Sequence, residues 1–255
     1  RAPLGSTDMG VAMDAIVASF KQQTARRRAA IYIGDGQSKS NVLDQHELSE
    51  HIRQLVESRI PFTGCAIGVQ RNFHMLAALA NQTGGTVLAH DDISGQEMGA
   101  ALAAATRETV FWPVDSRFSD SVEQSFPRTV PPLRSDRDTV LIGTLKSQGP
   151  HEIQLSVEMD HQHKRLSWQV DDEPSSTEHS FLPQLVEAAR QDGGLTLPIL
   201  GSTGLREAQR ILMSNAHRLA KIGERAMAGG DHQGAQRLAD AAAKVDPEHP
   251  VAKVI

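Results

Sequence analysis

The sequence predicts an α/β chain in three parts: a parallel sheet with helices on both faces, a small antiparallel β-sandwich-like unit, and a C-terminal α-hairpin. Three observations carry that prediction. Over residues 1–107, helical stripes alternate with short continuous apolar runs, the βαβα order that requires a parallel sheet. Over residues 108–172 the apolar period drops to two, as in strands with one dry face. From residue 204 onward, two helical stripes flank Ala228-Gly229-Gly230-Asp231. The expected organisation is residues 1–107 as an α/β domain, 108–172 as a β unit, 173–203 as a linker with a short helix, and 204–255 as a helical hairpin.

The elements follow in order. After Ser6-Thr7-Asp8, the residues Met13, Ile16, Val17 and Phe20 recur at helical spacing. Ala29 to Ile33 reads as a strand covered on both faces. Leu48, Ile52, Leu55 and Val56 mark a second helix, and Ile60 to Val69 a second buried strand. Phe73, Leu76, Ala77 and Ala80 mark a third helix, which Gly84-Gly85 closes. Thr86 to Ala89 is a short strand. Ser94-Gly95-Gln96-Glu97 is a capping box that opens a fourth helix, through Ala105.

In the β unit, Thr109 to Val114 and Val140 to Leu145 are strand candidates, and Pro127, Pro131 and Pro132 lie in a connection. Ile153, Leu155, Val157 and Met159 alternate, as do Leu166, Trp168 and Val170, with a turn over Asp160 to Lys164. Leu182 to Gln191 reads as the short helix of the linker. Helices over 204–227 and 232–245 follow, with Asp231 as an N-cap and Pro247 as a stop.

Composition narrows the function. At 255 residues, with 39% hydrophobic and 22% charged, the chain falls in the soluble globular class. No apolar run approaches the roughly 20 residues of a membrane span. A net charge of -5 argues against a general nucleic-acid binder. Arg26-Arg27-Arg28 reads as a solvated turn. Cys65 is the single cysteine, so it forms no internal disulfide or cysteine zinc site and reads as a small buried hydrophobe. The chain opens on Arg1 without a Met, and is read as a piece of something longer.

The residue that asks for a role is Asp35. It ends an apolar strand, and ligands of open parallel sheets bind at the carboxyl ends of the strands. The plainest reading is a loop carboxylate that caps the next segment. Against it, Gly34 and Gly36 let the backbone turn sharply, and Leu4-Gly5-Ser6-Thr7 puts hydroxyls on another loop of the same expected face. Hydroxyl and carboxylate oxygens suit a hard cation such as Mg²⁺.

Gly5-Ser6-Thr7 before a helix, Ala30-Ile31-Tyr32-Ile33-Gly34-Asp35-Gly36, Ile60 to Val69, and Leu76-Ala77-Ala78-Leu79-Ala80-Asn81-Gln82-Thr83-Gly84-Gly85 occur in that order. Together they resemble the later part of a von Willebrand factor type A (vWA) domain, a Rossmann-like parallel sheet. The resemblance implies a metal-ion-dependent adhesion site, with Thr7 as its threonine and Asp35 as its aspartate. Gly34 stands where the family usually has Thr or Ser. The family's D-x-S-x-S loop and first strand are expected upstream of Arg1.

The implied function is non-enzymatic: Mg²⁺ bridges to an Asp or Glu of a protein partner. One alternative is a scaffold whose vWA-like domain binds no metal. Another is an enzyme that uses Asp35 as nucleophile or metal ligand. By family association the setting is a multidomain bacterial protein of the cell envelope.

The C-terminus has its own resemblance. Leu219, Ile222, Gly223, Ala226, Gly230-Asp231, Ala235, Ala239, Ala242 and Asp246-Pro247 fall at the spacing of one tetratricopeptide repeat. An ordinary helical hairpin docked on a neighbour is the equal alternative. Pro131-Pro132-Leu133-Arg134-Ser135-Asp136-Arg137-Asp138 resembles a β segment added to vWA domains in bacterial multidomain proteins.

Other candidates read as structural. His161-Gln162-His163 falls in a predicted turn, and Asp92 of His90-Asp91-Asp92 reads as helix-start chemistry. Ser6 and Ser38 lack an evident base, and no phosphate loop follows Gly36.

Overall fold

The computed structural model describes residues 7–21, 27–89, 92–160 and 162–246. Leu4, Gly5, Ser6, Arg26, His90, Asp91, His161 and Pro247, singled out above, lie outside the described residues.

The predicted α/β class is borne out. Helix α1 (Met9–Phe20) starts where the Asp8 side chain accepts the Val11 N–H. Strand β1 (Ala30–Gly34) leads to α2 (Gln45–Glu57), opened by a capping box of Asp44 and Glu47. Strand β2 (Phe62–Ala66) leads to α3 (Phe73–Thr83), and β3 (Val87–Leu88) leads to α4 (Gly95–Arg107). The Ser94–Glu97 capping box forms as expected. The three strands pair in parallel in the order β1-β2-β3, with Ala30 opposite Phe62 and Gly64 opposite Val87.

One side of this sheet packs α1, α2 and α3 around Met9, Met13, Leu55, Phe62, Leu76 and Leu79. Phe62, Leu55 and Leu76 are essentially out of water, so truncating Phe62 to Ala would cost about 3–5 kcal/mol. On the other side α4 packs on β2 and β3 and leaves β1 uncovered. Ile31 is 45% exposed and Ile33 is 61% exposed. This corrects the expectation of a first strand covered on both faces. Its apolar run could not reveal that α4 lies over its neighbours instead. The second strand is also shorter than read: all five β2 residues are buried, and the chain turns away by Gly68.

The β unit comprises β4 (Val110–Phe118), β5 (Val122–Phe126), β6 (Leu133–Arg134), β7 (Ile142–Leu145), β8 (His151–Met159) and β9 (Gln162–Val170). One antiparallel sheet runs β6-β4-β8-β9, and β5 pairs separately with β7. The turn between β8 and β9 is tighter than predicted, because Met159 already pairs with Gln162. His163 therefore lies on a strand, opposite Glu158, and not in a turn.

Three more helices follow: α5 (Leu182–Asp192), α6 (Gly201–Ala228) and α7 (His232–Ala243). The Asp231 side chain caps α7 through the Gly234 N–H. Phe181, Leu185, Val186 and Ile199 pack with Ala216, Ala220 and Ala242 of the hairpin and with Phe126 and Ile142 of the β5–β7 pair. Small residues at 216, 220, 235, 239 and 242 are buried and let α6 and α7 approach closely.

Two seams join the α/β domain to the β unit. In the first, the Arg134 side chain is 1% exposed. It donates to the carbonyls of Gly84 and Ala105, at 3.1 Å each, and grips both oxygens of Asp136 at 2.7 Å. Gly84 closes α3 at φ 73°, and a Cβ there would lie 2.7 Å from Pro132. Only glycine meets both demands. In the second seam, Arg27 pairs with Asp160 and Arg59 with Glu158, each at 2.7 Å. The Arg59 guanidinium also lies 5.3 Å from the Trp112 ring centre. Arg27, read as part of a solvated turn, thus ties two units together.

Candidate functional site

Parallel pairing sends the carboxyl ends of β1 and β2 to one rim. Asp35 leaves β1 there, and residues 67–72 leave β2 beside it. The Ile67 N–H donates to the Gly34 carbonyl at 3.0 Å, and the Asn72 N–H to the Asp35 carbonyl at 2.7 Å. The Gln37 side-chain amide crosses to the Gln70 carbonyl at 2.8 Å. Gly36 takes φ 73° against Leu76 and Asn72, so the sharp turn after Asp35 uses glycine's freedom.

Thr7 reaches the same loop. Its carbonyl accepts the N–H groups of Lys39 at 3.0 Å and Ser40 at 3.3 Å. The Ser38 hydroxyl accepts the Met9 N–H at 3.1 Å and donates to the Asn41 carbonyl. Thr7, the Asp35–Asp44 loop and the loop after β2 therefore form one connected cluster.

Within it Asp35 is half-buried. Its Oδ1 accepts the Gln37 N–H at 3.0 Å, and its Oδ2 lies 4.0 Å from the Lys39 ammonium. Thr7 carries a hydroxyl and Asp35 a carboxylate, the donor type that Mg²⁺ prefers, and Thr7 is tied to the loop through its carbonyl. In number they fall short of a cation site. Among the described residues no group of three or more His, Cys, Asp or Glu is placed to hold a metal ion.

Sequence reading placed Ile33, Ile67 and Val69 in buried strands and Phe73 on a helical stripe, did not single out Val42, and so did not anticipate their exposure. Val69 is fully exposed, Val42 82%, Ile33 61%, Ile67 50% and Phe73 44%. Ile33 lies near the end of β1 and Phe73 opens α3, whereas Val42, Ile67 and Val69 lie in the loops that follow β1 and β2.

Sequence reading also missed an array around the buried His151 in the β unit. His151 Nδ1 lies 2.7 Å from the Ser121 hydroxyl, and its Nε2 lies 2.7 Å from Asp172. The Gly149 N–H and then His151 hold the Asp172 carboxyl below its usual range. The residue types are those of a nucleophilic triad. Here the serine sits on Nδ1, and its hydroxyl lies 2.7 Å from that of Ser119. The array pins the start of β8 to the turn before β5 and to the segment after β9. The Asp172 contact follows from the hairpin register, since His151 opposite Val170 brings residue 172 alongside Gly149. Cys65 is buried as expected, and burial raises its thiol pKa.

The fold and rim define an open-sheet α/β domain joined to a β unit and a helical unit. Residues 1–88 match the von Willebrand factor type A domain, and over that stretch the resemblance read from the sequence is borne out. The match does not extend to the C-terminal helix pair. Among solved structures, the chain is similar to the ArnB paralog VWA2 from Sulfolobus acidocaldarius. That similarity has 10% identity and a TM-score of 0.37, and covers 99% of this chain and 65% of that one. The human COPII-coat protein Sec24c is similar at 11% identity and a TM-score of 0.45, over 84% of this chain and 36% of that one. The chain thus spans less than two thirds of either structure's length. No curated protein matches it.

Proposed function

We propose that the chain is a non-enzymatic protein-interaction module that meets its partner at the carboxyl rim of the parallel sheet. The observation that supports this reading is the hydrogen-bonded cluster of Thr7 with the loops after β1 and β2 at this rim, where Val42, Ile67 and Val69 of those two loops are exposed. Apolar side chains grouped beside a polar feature mark protein-binding surfaces.

In the finer form of the proposal, Thr7 and Asp35 contribute to a site for Mg²⁺. The ion would supply an open coordination position for a partner's Asp or Glu. Thr7 and Asp35 would hold and orient it, and the hydrogen bond from Gln37 keeps the carboxylate in place. The rest of the ligand set would come from water and from residues other than those described. The module would belong to a larger multidomain protein of a bacterial cell envelope. That setting rests on the resemblance alone and is tested by cell fractionation.

A scaffold role is the second reading. The Lys39 ammonium beside Asp35 favours it, since a lysine there already offsets the carboxylate. Partner capture with and without chelator, for the native chain and Asp35→Ala, separates the two. Loss of capture in both tests supports the metal bridge. Capture indifferent to both leaves the scaffold.

A further inference from the structure

A second surface, on the β unit, is built for a partner of different geometry. The sheet β6-β4-β8-β9 ends at β9, which runs nine residues and pairs only with β8. Among the described residues no backbone hydrogen bond reaches its outer edge. Every residue of β9 except Leu166 is exposed. A long open edge of this kind is a template for another strand.

Its side chains specify what kind. His163, Lys164 and Arg165 are consecutive, and neither Lys164 nor Arg165 has a carboxylate partner among the described residues. Of the acids nearby, Glu158, opposite His163, pairs with Arg59, Asp160 pairs with Arg27, and Glu152 accepts from Gln154 and Ser167. Positive charge thus gathers on one strand of a chain whose net charge is -5. Farther along, Trp168 is 42% exposed and Val170 46% exposed. Both share a face with Leu166. Behind them Ile153, opposite Trp168, lines an apolar cleft of about 340 Å³ with Phe118, Leu145 and Leu182.

We propose that the outer edge of β9 docks an extended acidic segment of a partner protein, which adds a fifth strand to this sheet. Main-chain hydrogen bonds supply affinity, and alternate side chains supply selection. Because strand faces alternate, Lys164 and Trp168 point the same way and Arg165 points the other. The segment recognised carries two adjacent carboxylates, with an aromatic or branched aliphatic residue four positions from one of them. The same basic residues repel a second β9, which disfavours self-pairing at this edge. This surface is separate from the Asp35 rim and stands or falls without it.

The test uses the full chain and a synthetic peptide of about nine residues: alternating Thr and Val, with a central Asp-Asp and a Phe four positions on. Calorimetry is expected to show saturable binding. Lys164→Glu with Arg165→Glu weakens it about tenfold or more. N-methylation of alternate peptide amides on one edge abolishes it. Asp35→Ala leaves it unchanged, which separates this proposal from the rim reading. Both charge reversals sit on exposed side chains, and circular dichroism checks that the fold is retained. The proposal is overturned by absence of saturable binding, by binding that survives N-methylation, or by indifference to the double reversal. Self-association in sedimentation that the double reversal abolishes would assign the edge to a second copy and overturn it equally.

Discussion

The two seams between the α/β domain and the β unit use the same side chain in opposite settings. Arg134 is sealed from water and ends on two backbone carbonyls and a carboxylate. Arg27 makes an ion pair of equal length with its side chain 56% exposed. Equal distances do not mean equal energies. Removing Arg134 strands the carbonyls of Gly84 and Ala105, whose bonds are buried, whereas water and salt replace Arg27 readily. Arg59 stands between them, 35% exposed, with a ring beneath it.

The strongest way to break this contrast is Arg134→Ala, expected to cost about 3–5 kcal/mol in denaturant unfolding. Arg134→Lys should recover little, since one ammonium cannot reproduce the fork that spans Asp136 and two carbonyls. An Arg134→Ala chain as stable as the native one would refute the contrast.

Acid should act through the same seam. The bond from Arg134 holds the Asp136 carboxyl below its ordinary range. A lowered carboxyl contributes stability that is present above its unfolded pKa and lost as pH falls through the folded value. Melting temperature should therefore decline on acidification below the usual carboxylate range. Arg134→Ala should flatten that part of the decline. An identical acid profile in the variant would remove Asp136 from the account.

Arg59 sharpens the comparison. Arg59→Ala is expected to cost about 1 kcal/mol, from a part-buried ion pair and the Trp112 contact. Arg59 also sits at φ 53°, where glycine is at ease. Arg59→Gly should therefore be milder than Arg59→Ala, an order that chemical melts can reverse or uphold. Smallest of all, Arg27→Ala should stay within about 0.5 kcal/mol and vanish in high salt. A larger, salt-resistant loss would make the outer seam structural.

The sequence's local chemistry survived folding well. Asp8, Ser94, Asp231 and Gly84 cap the elements their positions announce. Alternation exposed β8 and β9, and the strand-end position of Asp35 was legible from the apolar run before it. Arg134 was not legible, because its carbonyl partners lie 29 and 50 residues away and backbone carries no sequence mark. Neither was the open face of β1, which depends on where α4 settles. At the rim, Thr7 and Asp35 could be picked out by residue type. Ser38 and the exposed Val42, Ile67 and Val69 have meaning only once three loops meet.

Helix α3 connects more of the molecule than its length suggests. At its start, the Asn72 N–H holds the Asp35 carbonyl. At its far end, the Gln82 side chain grips the carbonyls of Gly194 and Leu195, and the Gly84 carbonyl receives Arg134. Eleven helical residues make a strut of about 16 Å that bends little and does not shorten. A ligand that pulled on the turn after β1 would pull that strut, and through it both the β unit and the helical unit, as an axle turns two wheels.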